Sequence, residues 1–559
     1  MPEFSFRTRE ESLKRFRSEV FDLLVVGGGI TGAAVARDAS SRGLKVALIE
    51  KRDFAWGTSS RSSKLIHGGL RYLENFEFGL VFEALSERTL LLKTVPHMVR
   101  PLPFYFPVYH GDRNGRGILG LGLWLYDLLA LFRAPGFHRS FGKKGMLREI
   151  PILKEEGLLG GFRYYDASMW DDVLAIQVIR SAAEMGAAVA NYVEAVQPIF
   201  EGSRVAGFIA RDREGNGEDI SLRAQKTVIC AGPWTDEVGF QLSPKWKHWL
   251  KPSKGVHLVF DLKRIPIPGA ITMSENDSER IIFMIPRPDY GSGVVIVGTT
   301  DGPTPGPAER AQVDRADVEY LLAMVNKYFP RLQVKASDIL SAYVGVRPLM
   351  DPGAGSGEKL QKVSREHHID LGPGGTVVVA GGKYTTHRRM GKEIVDFALK
   401  TWREDHRKGV ISADVPKHGP SRTRTPINTH AIPAAIAAAE ARASARGLEI
   451  PPELYSRFGE DALELAESGP SSQPDPLGFP SLEAQLRHTI RTEMALHLED
   501  FFLRRSPLYL ARADHGEPWM EALAWVWAEE RGIDPTLVSA EITGLRAVLA
   551  ELSRWKEKL

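Results

Sequence analysis

Cysteine, net charge and long apolar runs are all scarce in this sequence of 559 residues. The single cysteine, Cys230, excludes an intrachain disulfide and a cysteine-rich metal site, and we expect no metal. A formal net charge of +2 argues against a dedicated nucleic-acid-binding protein. No uncharged apolar run reaches the roughly 18 residues of a membrane-spanning helix, and the charged first residues predict no secretion signal. We therefore expect a cytoplasmic protein, or one that lies on a membrane without crossing it.

A glycine-rich turn between two short apolar segments is the clearest local signal. Residues 21–26 and 44–49 are typical of buried parallel strands, and an alanine-rich helix lies between them. The glycines of Gly27-x-Gly29-x-x-Gly32 match the dinucleotide-binding fingerprint, in which they permit a tight turn, close approach to the pyrophosphate and packing of helix on strand. Glu50, at the end of the second strand, is placed to accept hydrogen bonds from the adenosine ribose.

This motif alone does not distinguish FAD from NAD. The segments that could complete the same site lie far along the chain, at Ala231-Gly232 and Gly381-Gly382. An extended dinucleotide lying across a long chain is typical of the large two-dinucleotide flavoproteins, which this sequence resembles. We therefore predict that the cofactor is FAD.

The chain is long enough for roughly three or four domain-sized units. From residue 192 onward, short alternating strands separated by glycine and charged turns predict a largely antiparallel second sheet. Beyond a predicted linker at 418–426 the pattern is helical. The predicted fold is α/β, with a Rossmann-like FAD-binding domain, an antiparallel-sheet substrate domain and an all-α C-terminal cap. The expected bounds are an N-terminal helix at 1–20, interleaved FAD parts (about 21–100, 160–250 and 340–410) and substrate parts (about 100–160 and 250–340), and a helical domain at 421–559.

Five separated motifs resemble the signature of the FAD-dependent (aerobic, respiratory) glycerol-3-phosphate dehydrogenases. They are TSSRSSKLIHGGLRYLE at 58–74, AGPW at 231–234, GTTD at 298–301, GVRP at 345–348 and GGKYTT at 381–386. The resemblance extends from about residue 21 to 402, and more loosely through the helical part. It implies a D-amino-acid-oxidase-like fold and oxidation of sn-glycerol 3-phosphate to dihydroxyacetone phosphate by hydride transfer to FAD. It also implies that the electrons pass to a membrane quinone.

Such a substrate carries a phosphate dianion, and an unpaired buried anion is very costly, so fixed positive charges must surround it. The expected cations lie inside or near glycine-rich or strand-end segments: Arg71, Arg347, Arg365 and Lys383. Arginine suits this role because its planar fork binds two phosphate oxygens at once.

Oxidation at C2 also requires a base for the proton of the 2-hydroxyl. His67 lies in the middle of the motif expected beside the flavin, and its ordinary pKa suits proton transfer near neutral pH. Tyr72 and Lys254 are weaker alternatives that could orient or polarise the hydroxyl. His257 and His387 are expected to be structural.

The predicted cofactor contacts come from the glycine-rich turn, the second strand end, the hydroxyl-rich motif and the two distant glycine segments. They are Gly27, Gly29, Ile30, Thr31, Gly32, Glu50, Lys51, Thr58, Ser59, Ser60, Ser62, Ser63, Lys64, Leu65, Val193, Ala231, Gly232, Trp234, Gly382, Lys383, Thr385 and Thr386.

Residues 117–132, GILGLGLWLYDLLALF, are strongly apolar and have basic residues on both sides. Aromatic, aliphatic and basic residues together favour an interfacial helix on an anionic lipid surface, although a buried core helix fits the same pattern. The resemblance favours the lipid surface, and hence a peripheral protein on the inner face of the cell membrane. Homodimer formation is left open.

Several alternatives remain at this point. A glycerol-3-phosphate oxidase performs the same first half-reaction and gives the electrons to O2. An amine or amino-acid oxidase would need only one carboxylate-binding arginine, and the surplus of cations speaks against it. A non-catalytic FAD-binding module would lack the base and the phosphate clamp, and a tRNA-modifying flavoprotein would need a marked basic face.

Overall fold

A computed structural model describes residues 3–73, 76–131, 133–215, 217–275, 280–304, 306–351, 367–427, 433–447, 450, 452–467 and 482–558. The strands in chain order are β1 (Val20–Val26), β2 (Val46–Ile49), β3 (Leu65–Ile66), β4 (Val99–Tyr109), β5 (Arg139–Gly142), β6 (Leu158–Met169), β7 (Ala188–Ala190), β8 (Val193–Glu201), β9 (Arg204–Asp212), β10 (Asp219–Ile229), β11 (Ser253–Asp261), β12 (Ala270–Ser274), β13 (Ile281–Arg287), β14 (Val294–Gly298), β15 (Gly302–Pro303), β16 (Ile339–Arg347), β17 (His367–Leu371) and β18 (Val377–Gly381). The helices are α1 (Phe6–Ser18), α2 (Ile30–Ser41), α3 (Phe78–Thr94), α4 (Arg116–Leu129), α5 (Lys143–Glu149), α6 (Asp171–Glu184), α7 (Thr235–Leu242), α8 (Arg315–Tyr328), α9 (His387–Arg407), α10 (Pro433–Ala445), α11 (Pro452–Phe458), α12 (Ala462–Glu467), α13 (Leu482–Thr492), α14 (Leu498–Asp500), α15 (Leu508–Ala511), α16 (Glu517–Arg531) and α17 (Val538–Ser553).

The first sheet contains the predicted dinucleotide-binding unit. Parallel strands lie in the order β18-β10-β1-β2-β7, β17 pairs antiparallel with β18, and β8 and β9 extend the sheet beside β10. Successive residues of β1 enter different cores: Leu23 and Val25 pack with α2 and α9, whereas Leu24 packs with Leu13 of α1. Burial on both faces explains why residues 23–26 of β1 are all apolar.

The second sheet is antiparallel apart from the parallel pairing of β4 with β12, as the alternating pattern predicted. Its order is β15-β11-β14-β13-β12-β4-β6-β3, with β16 beside β11 and β5 beside β6. Helix α8 covers an apolar face of this sheet through Val318, Leu321 and Val325. The two sheets meet where β3, β11 and β16 approach the carboxyl ends of the parallel strands.

The C-terminal part is helical, as expected, and is joined to the first sheet through buried ion pairs. Asp53 is fully buried and accepts hydrogen bonds from Arg504 Nε (2.5 Å) and Arg505 Nη2 (2.8 Å). Arg504 also binds Asp500, which accepts a hydrogen bond from the Tyr192 hydroxyl. These contacts reach the loop directly after Glu50, so the cap supports the segment that follows β2.

Candidate active site

The glycine-rich turn after β1 has the geometry that a dinucleotide pyrophosphate requires. Gly27 has a φ of +111°, and a Cβ atom there would lie 2.4 Å from the Cys230 carbonyl oxygen. A Cβ on Gly32 would lie 1.9 Å from the Gly27 carbonyl oxygen, so helix α2 could not approach the strand. Gly29 is the N-cap of α2, and its lack of a side chain leaves the positive end of the helix open to an anion. The residues present therefore fit the phosphates of FAD.

Glu50 closes this turn from the second strand. Its carboxylate accepts hydrogen bonds from the backbone N–H groups of Gly28 (2.7 Å) and Arg52 (3.0 Å). Burial raises the pKa of Glu50, and these two donors act in the opposite direction. The carboxylate also lines the cavity described below, where a ribose hydroxyl could donate to it.

A cavity extends from this turn to the second sheet, along the carboxyl ends of β1, β10 and β18. Open α/β sheets bind their ligands at this edge. The predicted cofactor residues that line the cavity are Gly27, Gly29, Ile30, Thr31, Glu50, Lys51, Thr58, Ser59, Ser62, Ser63, Leu65, Val193, Ala231, Gly232, Trp234, Gly382, Lys383 and Thr385.

Gly32, Ser60, Lys64 and Thr386 do not line this cavity. Lys64 is buried, and its ammonium lies 2.5 Å from Asp171 Oδ1 at the start of α6. A buried ammonium needs such a partner, so Lys64 attaches the hydroxyl-rich motif to α6 and does not face the cavity. Thr386 is buried and its hydroxyl donates to the Lys383 carbonyl oxygen (3.4 Å).

Arg347 ends β16 and lines the cavity from the second sheet. Its Nη2 donates to Thr299 Oγ1 (2.9 Å), and its Nη1 donates to the Lys254 carbonyl oxygen (3.2 Å). A Cβ on Gly255 would lie 2.3 Å from Arg347 Nη2, so glycine is needed for this placement. The guanidinium is thus held in a fixed orientation at the cavity wall.

His67 and Lys383 line the same cavity. The Thr385 hydroxyl donates to the His67 carbonyl oxygen (3.3 Å), which joins the motif at 58–74 to the motif at 381–386. The structure therefore brings the predicted base and two of the predicted cations, Arg347 and Lys383, to one cavity with the dinucleotide turn.

Lys254 is not brought to the cavity. Its ammonium lies 2.5 Å from Asp314 and 2.7 Å from Asp317, at the N-terminus of α8. Because side chains of a strand alternate between faces, Gly255 and His257 face the cavity and Lys254 faces the opposite side. The expectation that Lys254 polarises the substrate hydroxyl does not fit this placement.

His257, which the sequence analysis expected to be structural, lines the cavity. Its ring stacks on Tyr343 at 4.7 Å, and its Nε2 lies 2.9 Å from Ser63 Oγ. Among the described residues its Nδ1 has no hydrogen-bond partner, although the atom is buried. Burial lowers the pKa of His257 well below its ordinary value, and Arg347 and Lys64 add to this effect. Alternation along residues 254–257 places Lys254 and His257 on opposite faces of the strand, but the sequence does not show which face is turned toward the cavity.

The side chains of Arg71 and Tyr72, and the whole of Arg365, lie outside the described residues. The backbone of Arg71 and Tyr72 belongs to a 3₁₀ turn at Leu70–Leu73, directly after the His67 segment. Their roles stay predictions.

Two family models match the chain. The model of FAD-dependent oxidoreductases matches residues 22–397, and that of the C-terminal domain of alpha-glycerophosphate oxidase matches residues 436–537. Glycerol-3-phosphate dehydrogenase 2 of Mycobacterium tuberculosis is 37% identical over 550 residues, which cover 96% of this chain and 90% of that protein. The chain belongs to the FAD-dependent glycerol-3-phosphate dehydrogenase family. Its cofactor is FAD.

Further relatives of this dehydrogenase family and of the wider fold are also similar to the chain. The aerobic glycerol-3-phosphate dehydrogenase of Staphylococcus aureus is 34% identical over 517 residues, covering 89% of this chain and 88% of that protein. The FAD-complexed glycerol-3-phosphate dehydrogenase from Bacillus halodurans superposes with a TM-score of 0.77 at 27% identity, covering 98% of both chains. Glycine oxidase from Geobacillus kaustophilus, at 18% identity and a TM-score of 0.50 over 68% of this chain and 95% of that one, shares the fold alone.

Proposed function

We propose that this dehydrogenase oxidises sn-glycerol 3-phosphate to dihydroxyacetone phosphate, with FAD as hydride acceptor, and passes the electrons to a membrane quinone. The observation that carries the proposal is one cavity that combines the dinucleotide turn with His67, Arg347 and Lys383. The names of the relatives support the choice of substrate.

The residues of the chain divide the work as follows. Arg347 and Lys383 bind the phosphate dianion, together with Arg71 and Arg365 as the sequence predicts. His67 accepts the proton of the 2-hydroxyl. At the same time the C2–H bond breaks, the hydrogen leaves C2 as hydride with the bonding electron pair, and the C2 carbonyl forms. When bound, FAD supplies the hydride-accepting ring. His257 stays neutral because burial lowers its pKa, so it can bind the substrate or the flavin as a neutral partner.

The test is an anaerobic titration of the purified yellow protein with sn-glycerol 3-phosphate. Bleaching of the flavin band near 450 nm, roughly its general position, together with dihydroxyacetone phosphate as product, would support the reaction. A yellow protein that does not bleach would exclude this substrate.

A second experiment separates the two electron acceptors. The family model that matches 436–537 is named after an oxidase, so O2 must be tested directly. Protein bleached by the substrate is mixed either with air-saturated buffer or with a short-chain quinone under nitrogen. We expect rapid recolouring with the quinone and slow recolouring with O2; the reverse would identify an oxidase.

Helix α4 supports a place at the membrane surface. Leu119, Leu123 and Tyr126 are buried, whereas the opposite face exposes large apolar side chains: Ile118 (68%), Leu121 (73%), Trp124 (62%) and Leu128 (53%). The exposed basic residues of the neighbouring segments are Arg113, Arg133, Arg139, Lys143 and Lys144. This combination of apolar surface and positive charge fits an anionic lipid surface. No helix among the described residues is long and apolar enough to cross a membrane.

Co-sedimentation with phosphatidylglycerol vesicles tests this part of the proposal. We expect Trp124→Glu to weaken vesicle binding at least tenfold, because a charge replaces an inserted ring. Trp525→Glu is the matched control, since Trp525 is similarly exposed (51%) on the C-terminal part. Equal vesicle binding by both variants and the parent protein would contradict the proposal that α4 contacts the lipid surface.

A further inference from the structure

A buried polar cluster lies next to His67, and none of its three side chains lines the cavity. It consists of Arg88 on α3, Asp166 on β6 and Tyr126 on α4, each at most 2% exposed. We call it the Asp166 cluster. Buried polar groups of this kind are expensive unless they are paired, so their arrangement requires an explanation.

The carboxylate is the centre of the cluster. Asp166 accepts hydrogen bonds from Arg88 Nη1 and from the Tyr126 hydroxyl, which lies 2.8 Å from Oδ1 and 3.0 Å from Oδ2. Burial and the carboxylate raise the pKa of Tyr126 well above its ordinary value, so the phenol keeps its proton. The cluster thus joins two helices and one strand through one buried carboxylate.

The cluster also replaces the strand pairing beside His67. Strand β3 is only two residues long: Leu65 lies opposite Ser168 and Ile66 opposite Ala167 on β6. Where the chain leaves this pairing, the N–H of Gly68 donates to the Tyr126 hydroxyl (3.0 Å) and to Asp166 Oδ1 (3.2 Å).

The packing at Gly68 leaves no room for a side chain. A Cβ there would lie 2.3 Å from Leu85 Cδ2 and 2.5 Å from the Tyr126 hydroxyl. On the other side of the same peptide group, the His67 carbonyl accepts from the Thr385 hydroxyl. The peptide between His67 and Gly68 is therefore bound at both its C=O and its N–H.

We infer that Tyr126 and Asp166 are positioning residues for the reaction: they fix the peptide between His67 and Gly68, and with it the direction in which the His67 ring and the turn at Leu70–Leu73 leave the sheet. The inference rests on the proposed function only where it assigns proton transfer to His67. A ring placed even 1 Å from its productive position loses much of its catalytic effect.

Tyr126→Phe tests the inference because it removes only the hydroxyl. We expect hydrogen exchange of backbone amides in peptides covering 65–70 to become roughly fivefold faster, as for the loss of one hydrogen bond. We also expect flavin reduction at saturating sn-glycerol 3-phosphate to become roughly fivefold slower, with an unchanged FAD content. Asp166→Asn, which keeps the shape but removes the charge, should show larger changes of the same sign.

Tyr109→Phe is the control on the same sheet. The Tyr109 hydroxyl donates to the Lys154 carbonyl oxygen (2.9 Å), and Tyr109 does not line the cavity, so its loss should change neither quantity. Unchanged exchange at 65–70 in Tyr126→Phe would overturn the inference, and so would faster exchange with an unchanged reduction rate. The exchange measurement needs no substrate, so a failure of the proposed function is seen separately, as absence of bleaching in the parent protein.

Discussion

The two walls of the cavity are built in different ways. Around the glycine-rich turn, the wall from the first sheet uses backbone: Gly27 and Gly29 line the cavity, and the N-terminus of α2 provides N–H groups. Gly32 lies behind this wall and lets α2 approach β1. The wall from the second sheet uses side chains, with Arg347 and His257 held by partners distant in the sequence. We expect the backbone wall to recognise the shape and charge of a pyrophosphate, and the side-chain wall to determine which small molecule is oxidised. Substitutions on the two walls should therefore have separable effects.

The largest effect is expected on the backbone wall. Gly32→Ala places a Cβ 1.9 Å from the Gly27 carbonyl oxygen, a clash with backbone that cannot be relieved by a side-chain rotation. We expect a colourless or poorly folded protein, measured as the flavin-to-protein absorbance ratio. Gly79→Ala is the control, because a Cβ there meets nothing within 4 Å. A Gly32→Ala variant with a full complement of FAD would contradict the distinction between the walls.

His67→Asn should leave the flavin bound and slow its reduction. Removal of a general base costs about 10²–10⁴-fold in rate, and the glycine-rich turn is untouched. Stopped-flow reduction by sn-glycerol 3-phosphate measures the rate, and the absorbance ratio verifies the cofactor. If the rate falls less than tenfold, another group accepts the proton.

Arg347→Gln should weaken substrate binding with FAD retained. Loss of a charge-assisted contact to phosphate costs about 1.5–3 kcal/mol, or roughly 10–100-fold in apparent KM. Glycerol, which lacks the phosphate, sharpens the test, since the variant and the parent protein should oxidise it at similar low rates. Arg264→Gln, which removes an ion pair with Asp338, is a control for general loss of charge. An equal loss on both substrates would contradict phosphate recognition by Arg347.

The smallest expected effect concerns pH and His257. Its folded pKa lies well below about 6.5, the ordinary value, so the unfolded chain binds a proton that the folded protein does not. The suppressed protonation of His257 does not affect the free energy of unfolding above about pH 6.5, and it lowers that free energy as the pH falls below this value. His257→Gln should therefore lose less stability than the parent protein between pH 7 and pH 5, measured as thermal midpoints. Parallel curves for the two proteins would show that His257 titrates normally.

The backbone wall could be predicted from the sequence because each glycine acts within a few residues of its neighbours. The same holds for the helical C-terminal part and the alternating second sheet, where local periodicity reflects burial. The side-chain wall depends on which face of a strand is turned toward the cavity, and this the sequence does not show: Lys254 was expected near the substrate, whereas His257 lines the cavity. Lys64 lies inside a family motif and yet pairs with Asp171, 107 positions later in the chain.

The Asp166 cluster could not be predicted from the sequence. Its members come from three elements separated by 38 or more positions, and each one alone is an ordinary helix or strand residue. Long-range polar clusters become visible only when the sheet registers are known.

The buried contact of Asp53 with Arg504 and Arg505 bears on how separable the two matched family regions are. They read as consecutive modules, but a fragment ending near residue 420 would lose both arginines that bind Asp53, together with the helical segment that carries them. Within the intact chain, removing one partner of such a buried pair costs about 3–5 kcal/mol, a large part of the stability of an ordinary domain. We therefore expect the two regions to behave as one cooperative unit in truncation, in domain exchange between relatives and in limited proteolysis.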